Sequence, residues 1–424
     1  MNSFWRIFSL EFTAAVRSRT LALLLVASVA WMFAAPFMFT GDGTVEGARM
    51  LAVHYSLGGV ATLLSISLLA TATGSIARER AAKRLQMTMV RPVGYMTIAL
   101  AKTAALVAIG AIVLAVATAI EAVRSDLSRP CRHVLSPVMP TPREEAETMY
   151  TAYMKDPKTP PAVKSAKKSV VIRLLAQRAF DRYETVSAGD EAQWRFRLPE
   201  EGGMIKPSVR LRFTNTYDIR QDVVGDLGLT VYGAEWNGCV SNITQAVVEV
   251  PLQRSDAALA AESGVLTFAN SGESALMLRP RRDVNLLIEA DGFGWNLMRA
   301  YIELVCMISL LVAFGVFLGV GLGRPVALFT AVVALAVSEM SPSVIDQYPD
   351  VLETNAADAI GLAITRTAAE LTHPVSALEP LAKLSEDSCV EPREVLGAFI
   401  SDIVIAPVLF ALLSALVMPR KVEG

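Results

Sequence analysis

The sequence predicts an α-helical polytopic membrane protein of about six transmembrane helices, with an inserted extracytoplasmic α+β domain that contains a β-sandwich. Three observations carry this. Of 424 residues, 53% are hydrophobic and only 19% charged, and the mean hydropathy is +0.43, too apolar for a soluble chain of this size. Apolar stretches of membrane length gather in residues 1–124 and 294–424, whereas hydropathy falls across 125–293 over about one domain's length. Arg and Lys crowd into the short connections on one side of these stretches, which assigns that side to the cytoplasm.

Residues 1–19 repeat Phe4, Trp5, Phe8, Phe12 and Val16 at helical spacing, with Arg6, Arg17 and Arg19 opposite, and read as an interfacial elbow helix. They run into a first span, 20–39, so this start is not a cleaved signal peptide, which would need a short apolar core and a small-residue cleavage site. Residues 40–50, with Gly41, Gly43 and Gly47, form a short outer loop. Spans at about 55–76 and 97–122 then flank a loop, 77–96, holding Arg78, Arg80, Lys83, Arg84 and Arg91. A short charged surface helix is expected in this loop, and Lys102, just inside the next span, is expected to snorkel to the surface.

The extracytoplasmic domain, 125–293, divides into a helical part, 141–185, rich in Ala, Glu, Lys and Arg, and a β-sandwich, 190–290. Alternating runs at 193–198, 209–213, 228–232, 246–250, 264–268, 275–278 and 284–288 are separated by Gly, Asn, Asp and Pro turns. It carries no G-x-S-x-G or H-E-x-x-H motif, and 3 His in the whole chain leave no Ser-His-Asp set to assemble. No enzymatic activity and no cofactor or metal bound by this chain are therefore expected.

The chain re-enters at Trp295 and Tyr301, interfacial aromatics of a fourth span that continues to residue 323. A tight Gly323-Arg324-Pro325 turn gives a fifth span, 326–340. Residues 342–394 lie outside with short helices at 351–371 and 375–384, and a sixth span, 395–418, leads to a basic tail. Both termini are then cytoplasmic in a bacterial inner membrane. The inner segments hold Arg6, Arg17, Arg19, the five basic residues of 77–96, Arg324, Arg420 and Lys421, against only Arg49, Arg366, Lys383 and Arg393 in the two outer connections.

The stretch Ile76 to Lys102 resembles the coupling loop of type-2 ABC exporter permeases, whose pattern is roughly I-x-x-E-R-E-x-G-T-L-E-x-L-L-x-x-P-V, then G-K. Ile76, Glu79, Arg80, Leu85, Pro92, Val93 and Lys102 match, and Ala82-Lys83-Arg84-Leu85-Gln86 replaces the Gly-Thr-Leu-Glu portion. The run 293–305 and the run 314–329 are similar to bacterial permeases labelled as involved in multicopper-enzyme maturation. The resemblance implies a permease subunit that pairs with a second copy or paralogue and takes its ATP and Mg chemistry from a separate ABC ATPase. Arg78, Glu79, Arg80, Arg84, Leu85, Arg91 and Pro92 would dock that ATPase. No G-x-x-x-x-G-K-[ST] occurs in the chain itself.

Glu303, Glu339 and Asp402 are acids at membrane depth, read as a polar lining or as carboxylates paired with Arg299 or Arg393. Met87, Met89 and Cys306 are read as packing residues rather than a soft-metal path. Of the 4 Cys, Cys306 is intramembrane and the other three are extracytoplasmic. Cys131 closely follows the third span and Cys389 precedes the sixth, so a Cys131–Cys389 bridge is expected, with Cys239 in the strand region unpaired. With a net charge of -2 and basic residues clustered in the loops assigned to the cytoplasm, nucleic acid is not expected as a partner, which leaves the lipid bilayer, the ATPase, a second permease and a periplasmic protein. The alternative reading is a membrane-anchored scaffold that recruits a periplasmic partner through its β-domain.

Overall fold

The computed structural model describes residues 3–17, 19–38, 45–82, 94–140, 142–155, 168–180, 184–198, 207–212, 214–215, 225–231, 234–240, 247–255, 264–272, 275–334 and 379–422. The chain forms two compact units, one of Met1–Cys131, Asp291–Val344 and Ala363–Gly424, the other of Arg132–Ala290 with Ile345–Leu362.

The chain opens with α1 (Ser3–Val16), α2 (Arg19–Met38), α3 (Val45–Ala81) and α4 (Tyr95–Arg124). Strand β1 (Pro130–Leu135) and helices α5 (Pro142–Lys155) and α6 (Lys168–Phe180) follow. Met149, Tyr150 and Ile172 pack against the buried Ala146, Val171 and Leu175 to join α5 to α6. Then come β2 (Glu184–Val186), β3 (Glu191–Arg195), β4 (Pro207–Arg212), β5 (Thr214–Asn215), β6 (Gly225–Val231) and β7 (Ala234–Val240). β8 (Val247–Pro251), β9 (Gln253–Ser255), β10 (Val265–Asn270), β11 (Leu276–Leu278) and β12 (Val284–Gly292) complete the strands.

These strands form sheets ordered β1-β12-β4-β8, β3-β10-β6-β7-β9 and β2-β11-β5. Strict alternation sets their faces: in β10, Leu266, Phe268 and Asn270 are buried and the residues between them are half open. Phe268, Leu229, Leu211, Leu286, Trp194 and Leu278, drawn from all three sheets, belong to one apolar core. Each of the seven alternating runs read from the sequence overlaps a strand.

Helix α7 (Phe293–Gly321) leaves β12 directly, and α8 (Arg324–Ala334), α9 (Glu379–Ser385) and α10 close the chain. α10 is continuous through Pro392–Ala398, a π-helical segment Phe399–Ile405, and Ala406–Val422, and starts on a Glu391/Glu394 capping box. Four helical stretches, Leu51–Ala81, Tyr95–Arg124, Phe293–Gly321 and Pro392–Val417, are long and apolar enough to cross a membrane. The first and fifth expected spans correspond to shorter apolar helices, Leu23–Met38 and Arg324–Ala334; residues 335–340 lie outside the described residues. The whole of α2, Arg19–Met38, has 20 residues, about 30 Å at 1.5 Å per residue, close to the thickness of a hydrocarbon core.

In the helical unit α3, α4 and α7 share one core. Leu57, Leu64 and Leu68 of α3 meet Leu304, Ile308, Val312 and Val316 of α7, residues four apart on one face. Gly315 and Gly319 let these two helices touch: a Cβ on Gly319 would sit 2.5 Å from the Thr73 carbonyl oxygen, and one on Gly315 3.0 Å from the Ala72 Cβ. α10 packs on α7 through Phe410, whose ring lies 5.6 Å from those of Phe314 and Phe317.

Two sequence expectations are corrected. The second span's helix begins at Val45, inside the expected outer loop, and it runs without a break past the expected inner end at 76 to Ala81; most of the expected surface helix, 83–93, lies outside the described residues. No Gly or Pro interrupts residues 75–81, and Arg78 and Arg80 in the last turn suit the negative end of the helix dipole.

Candidate functional site

The carboxyl end of α3 is where the matched coupling-loop residues collect. Ile76 is fully buried. One turn on, Glu79 Oε1 accepts a hydrogen bond at 2.9 Å from the Lys102 ammonium on α4, which also donates to Glu11 Oε2 on α1 at 2.7 Å. The Lys102 side chain is 3% exposed and does not snorkel, correcting that expectation; the Glu11 and Glu79 side chains are 21% and 34% exposed. A buried ammonium is tolerated only with such partners.

Arg80, next to Glu79, turns to the carboxyl end of α7. Its Nη1 donates to the Val320 carbonyl, and its Nη2 donates to the Leu322 carbonyl at 3.0 Å, occupying acceptors that the end of a helix leaves open. Arg78 bonds back to the Gly74 carbonyl of its own helix at 2.9 Å. Two adjacent residues of α3, Glu79 and Arg80, thus bind α4 and α7, and Lys102 adds α1. Arg84, Leu85, Arg91 and Pro92 lie outside the described residues, as does Glu339.

At the opposite ends of the helices the expected disulfide is present: Cys131 and Cys389 are bonded, with Cα atoms 5.4 Å apart. Cys239 is a free exposed thiol and Cys306 a free buried one. Asn296 of α7, fully buried, brackets the same segment: its amide donates to the Ser388 carbonyl at 2.8 Å and accepts from the Val390 amide at 2.7 Å. Arg129 pairs with Asp387 at 3.0 Å and Arg299 with Asp291 at 2.6 Å, so Arg299 serves an acid other than the three proposed for it. Asp402 is buried and accepts from Ser401 Oγ at 2.6 Å, while Glu303 is half-buried on α7.

No family model, curated protein or solved structure matches this chain. Chain geometry alone therefore bears on function. Sequence reasoning assigned no partner to Glu11, the one acid of the aromatic-rich α1, or to Glu121 at the outer end of the third span, which is buried near the end of α4 with Ser56 Oγ at 3.3 Å and Ser125 Oγ at 3.1 Å. Among the described residues no group of three or more His, Cys, Asp or Glu could hold a metal ion.

Proposed function

We propose that this chain is the membrane-spanning subunit of a type-2 ABC transporter, coupling ATP hydrolysis by a separate ATPase subunit to export or to mechanical transmission to the extracytoplasmic side. The observation that carries this reading is the Glu79–Lys102 ion pair: two residues that match the coupling-loop pattern, 23 residues apart, meet in space. Arg80 supports it by joining the same turn to α7. The segment 83–93 would dock in a groove of the ATPase, with Leu85 as the apolar knob. On this reading six helices cross a bacterial inner membrane, both termini are cytoplasmic, the strand-rich unit is extracytoplasmic, and two permease copies or paralogues face two ATPases that hold ATP and Mg.

A photo-crosslinking residue placed at position 85 of the tagged chain in native membranes tests it. Crosslinks to an ABC ATPase are expected, and Leu85→Asp should abolish ATPase copurification by burying an unpaired charge. Crosslinks to lipid alone, with an extracytoplasmic protein retained through residues 132–290, would overturn the transporter reading in favour of an anchored scaffold.

A further inference from the structure

Two arginines from different helices meet near the carboxyl end of α3. A Cβ on Gly74 would sit 3.2 Å from Nε of Arg78 and 3.1 Å from Nε of Arg324, so both side chains lie over the same bare patch of backbone. Arg78 Nε donates to the Gly74 carbonyl at 2.9 Å, which fixes that guanidinium while its two terminal nitrogens remain as donors. Arg324 opens α8, just past the end of α7 at Gly321.

Among the described residues no carboxylate pairs with Arg78 or Arg324. The acid nearest to Arg78 in sequence, Glu79, is held by Lys102 at 2.9 Å. Arg80 brings a third guanidinium to this end and already occupies the Val320 and Leu322 carbonyls of α7. Two guanidiniums over one point repel each other, and α8 adds the positive end of its own dipole where Arg324 stands. Both arginines are exposed, so an anion from outside the chain can reach them.

The surroundings select the anion. α3 and α7 are of membrane-crossing length and end beside the pair, at Ala81 and Gly321, where such helices leave hydrocarbon for headgroups. α8 buries Ala327 and Ala331 against Leu69 and Leu318, and turns Val326, Phe329 and Val333 outward, with Phe329 70% exposed. These three recur at three and four residues, an apolar stripe that begins beside Arg324 and suits an acyl chain. A guanidinium fork matches phosphate oxygens two at a time, and basic pockets between membrane helices hold lipid headgroups this way. We propose that Arg78 and Arg324 form a phosphate-binding site whose ligand is the phosphodiester of an anionic phospholipid. The site requires only that α3 and α7 cross a membrane and is independent of any ATPase partner.

The full chain, delipidated in dodecylmaltoside, would be titrated with dioleoylphosphatidylglycerol, dioleoylphosphatidylcholine and inorganic phosphate in separate arms and read by native mass spectrometry. Phosphatidylglycerol should bind at least about tenfold more tightly than phosphatidylcholine, whose ammonium the arginines repel, and Arg324→Gln and Arg78→Gln should each weaken it about tenfold. Arg324→Gln alters an exposed side chain and decides the matter if Arg78→Gln, which also loses the Gly74 bond, does not fold. Arg324→Lys, which keeps the charge without the fork, should cost less than Arg324→Gln. Phosphatidylglycerol binding unchanged in Arg324→Gln, or phosphatidylcholine held as tightly, overturns the proposal. Inorganic phosphate that displaces the lipid at equal concentration would overturn the lipid as the source of the phosphate.

Discussion

Lys102→Met removes one ammonium from the junction of three helices and keeps most of the side chain's volume. The nitrogen lies 2.7 Å from Glu11 and 2.9 Å from Glu79, with only 3% of the side chain exposed. At an effective dielectric of about 20 each contact is worth roughly 6 kcal/mol before desolvation, and desolvation cancels most of it. Breaking a buried pair usually costs about 3–5 kcal/mol, because the charges left behind stay unpaired. Here both carboxylates keep some access to water, Glu79 at 34%, which lowers the expected cost to about 2–3 kcal/mol. Reversible unfolding in mixed micelles should show this as a loss of roughly 30- to 150-fold in the folding equilibrium. Combining Lys102→Met with Glu11→Gln and Glu79→Gln should recover most of the loss, since no unpaired charge remains. A single variant costing under about 0.5 kcal/mol, or a triple variant no better than the single, would refute the ion-pair account.

Three further outcomes are expected. Gly319→Val places a Cβ against the Thr73 carbonyl and should destabilise the helical unit by about 1–3 kcal/mol in the same assay, whereas Gly323→Ala, with open space around it, should not. Asn296→Ala strips two hydrogen bonds from the backbone at 388 and 390 and should raise hydrogen exchange across 386–391 while the Cys131–Cys389 bond stays intact by mass spectrometry; unchanged exchange would remove Asn296 from the bracket. Burial works to raise the Glu249 carboxyl, but the guanidiniums of Arg210 and Arg132, each 2.6 Å away, outweigh it and hold the carboxyl below its usual range. A depressed folded value means that this support is complete above the ordinary carboxylate pKa of about 4.3 and is lost as pH falls through the lower folded value. Glu249→Gln should therefore lessen the acid-side loss of hydrogen-exchange protection in β4 and β8, by under about 1 kcal/mol because the carboxylate is a third open.

What was legible in the sequence follows from range. The strand runs were legible because Val209 and Leu211 face the core while Arg210 and Arg212 do not, a period of two visible within six residues. β7 was not, because Trp236-Asn237-Gly238 reads as a turn and becomes strand only through pairing with Leu229, Gly228 and Leu227 of β6. The disulfide was accessible from topology, since both cysteines adjoin helix ends that belong at one level. The Glu11–Lys102–Glu79 junction was not, because Glu11 lies 91 residues from its partner and no pattern of one helix carries that distance. Nothing in Phe399–Ile405 distinguishes a π turn from an α turn, and only the burial of Asp402 marks it.

The junction also decides what must move if segment 83–93 is pushed. That segment follows α3 in the chain, and among the described residues Glu79 and Arg80 are the last before it with partners on other helices. Any displacement of the turn must carry α4 and α1 through Lys102 and α7 through Arg80, or break those bonds. The two routes differ in strength: Lys102 is buried and doubly paired, whereas Arg80 binds neutral carbonyls, each bond worth about 1.5–3 kcal/mol at most. Weak strain would therefore move all four helices together, and larger strain would release α7 first. α7 carries both the Asn296 bracket at one end and the Glu303 acid along its length. Release at Arg80 would consequently be felt first where α7 meets α10 nearest that end, at the contact of Phe314 and Phe317 with Phe410.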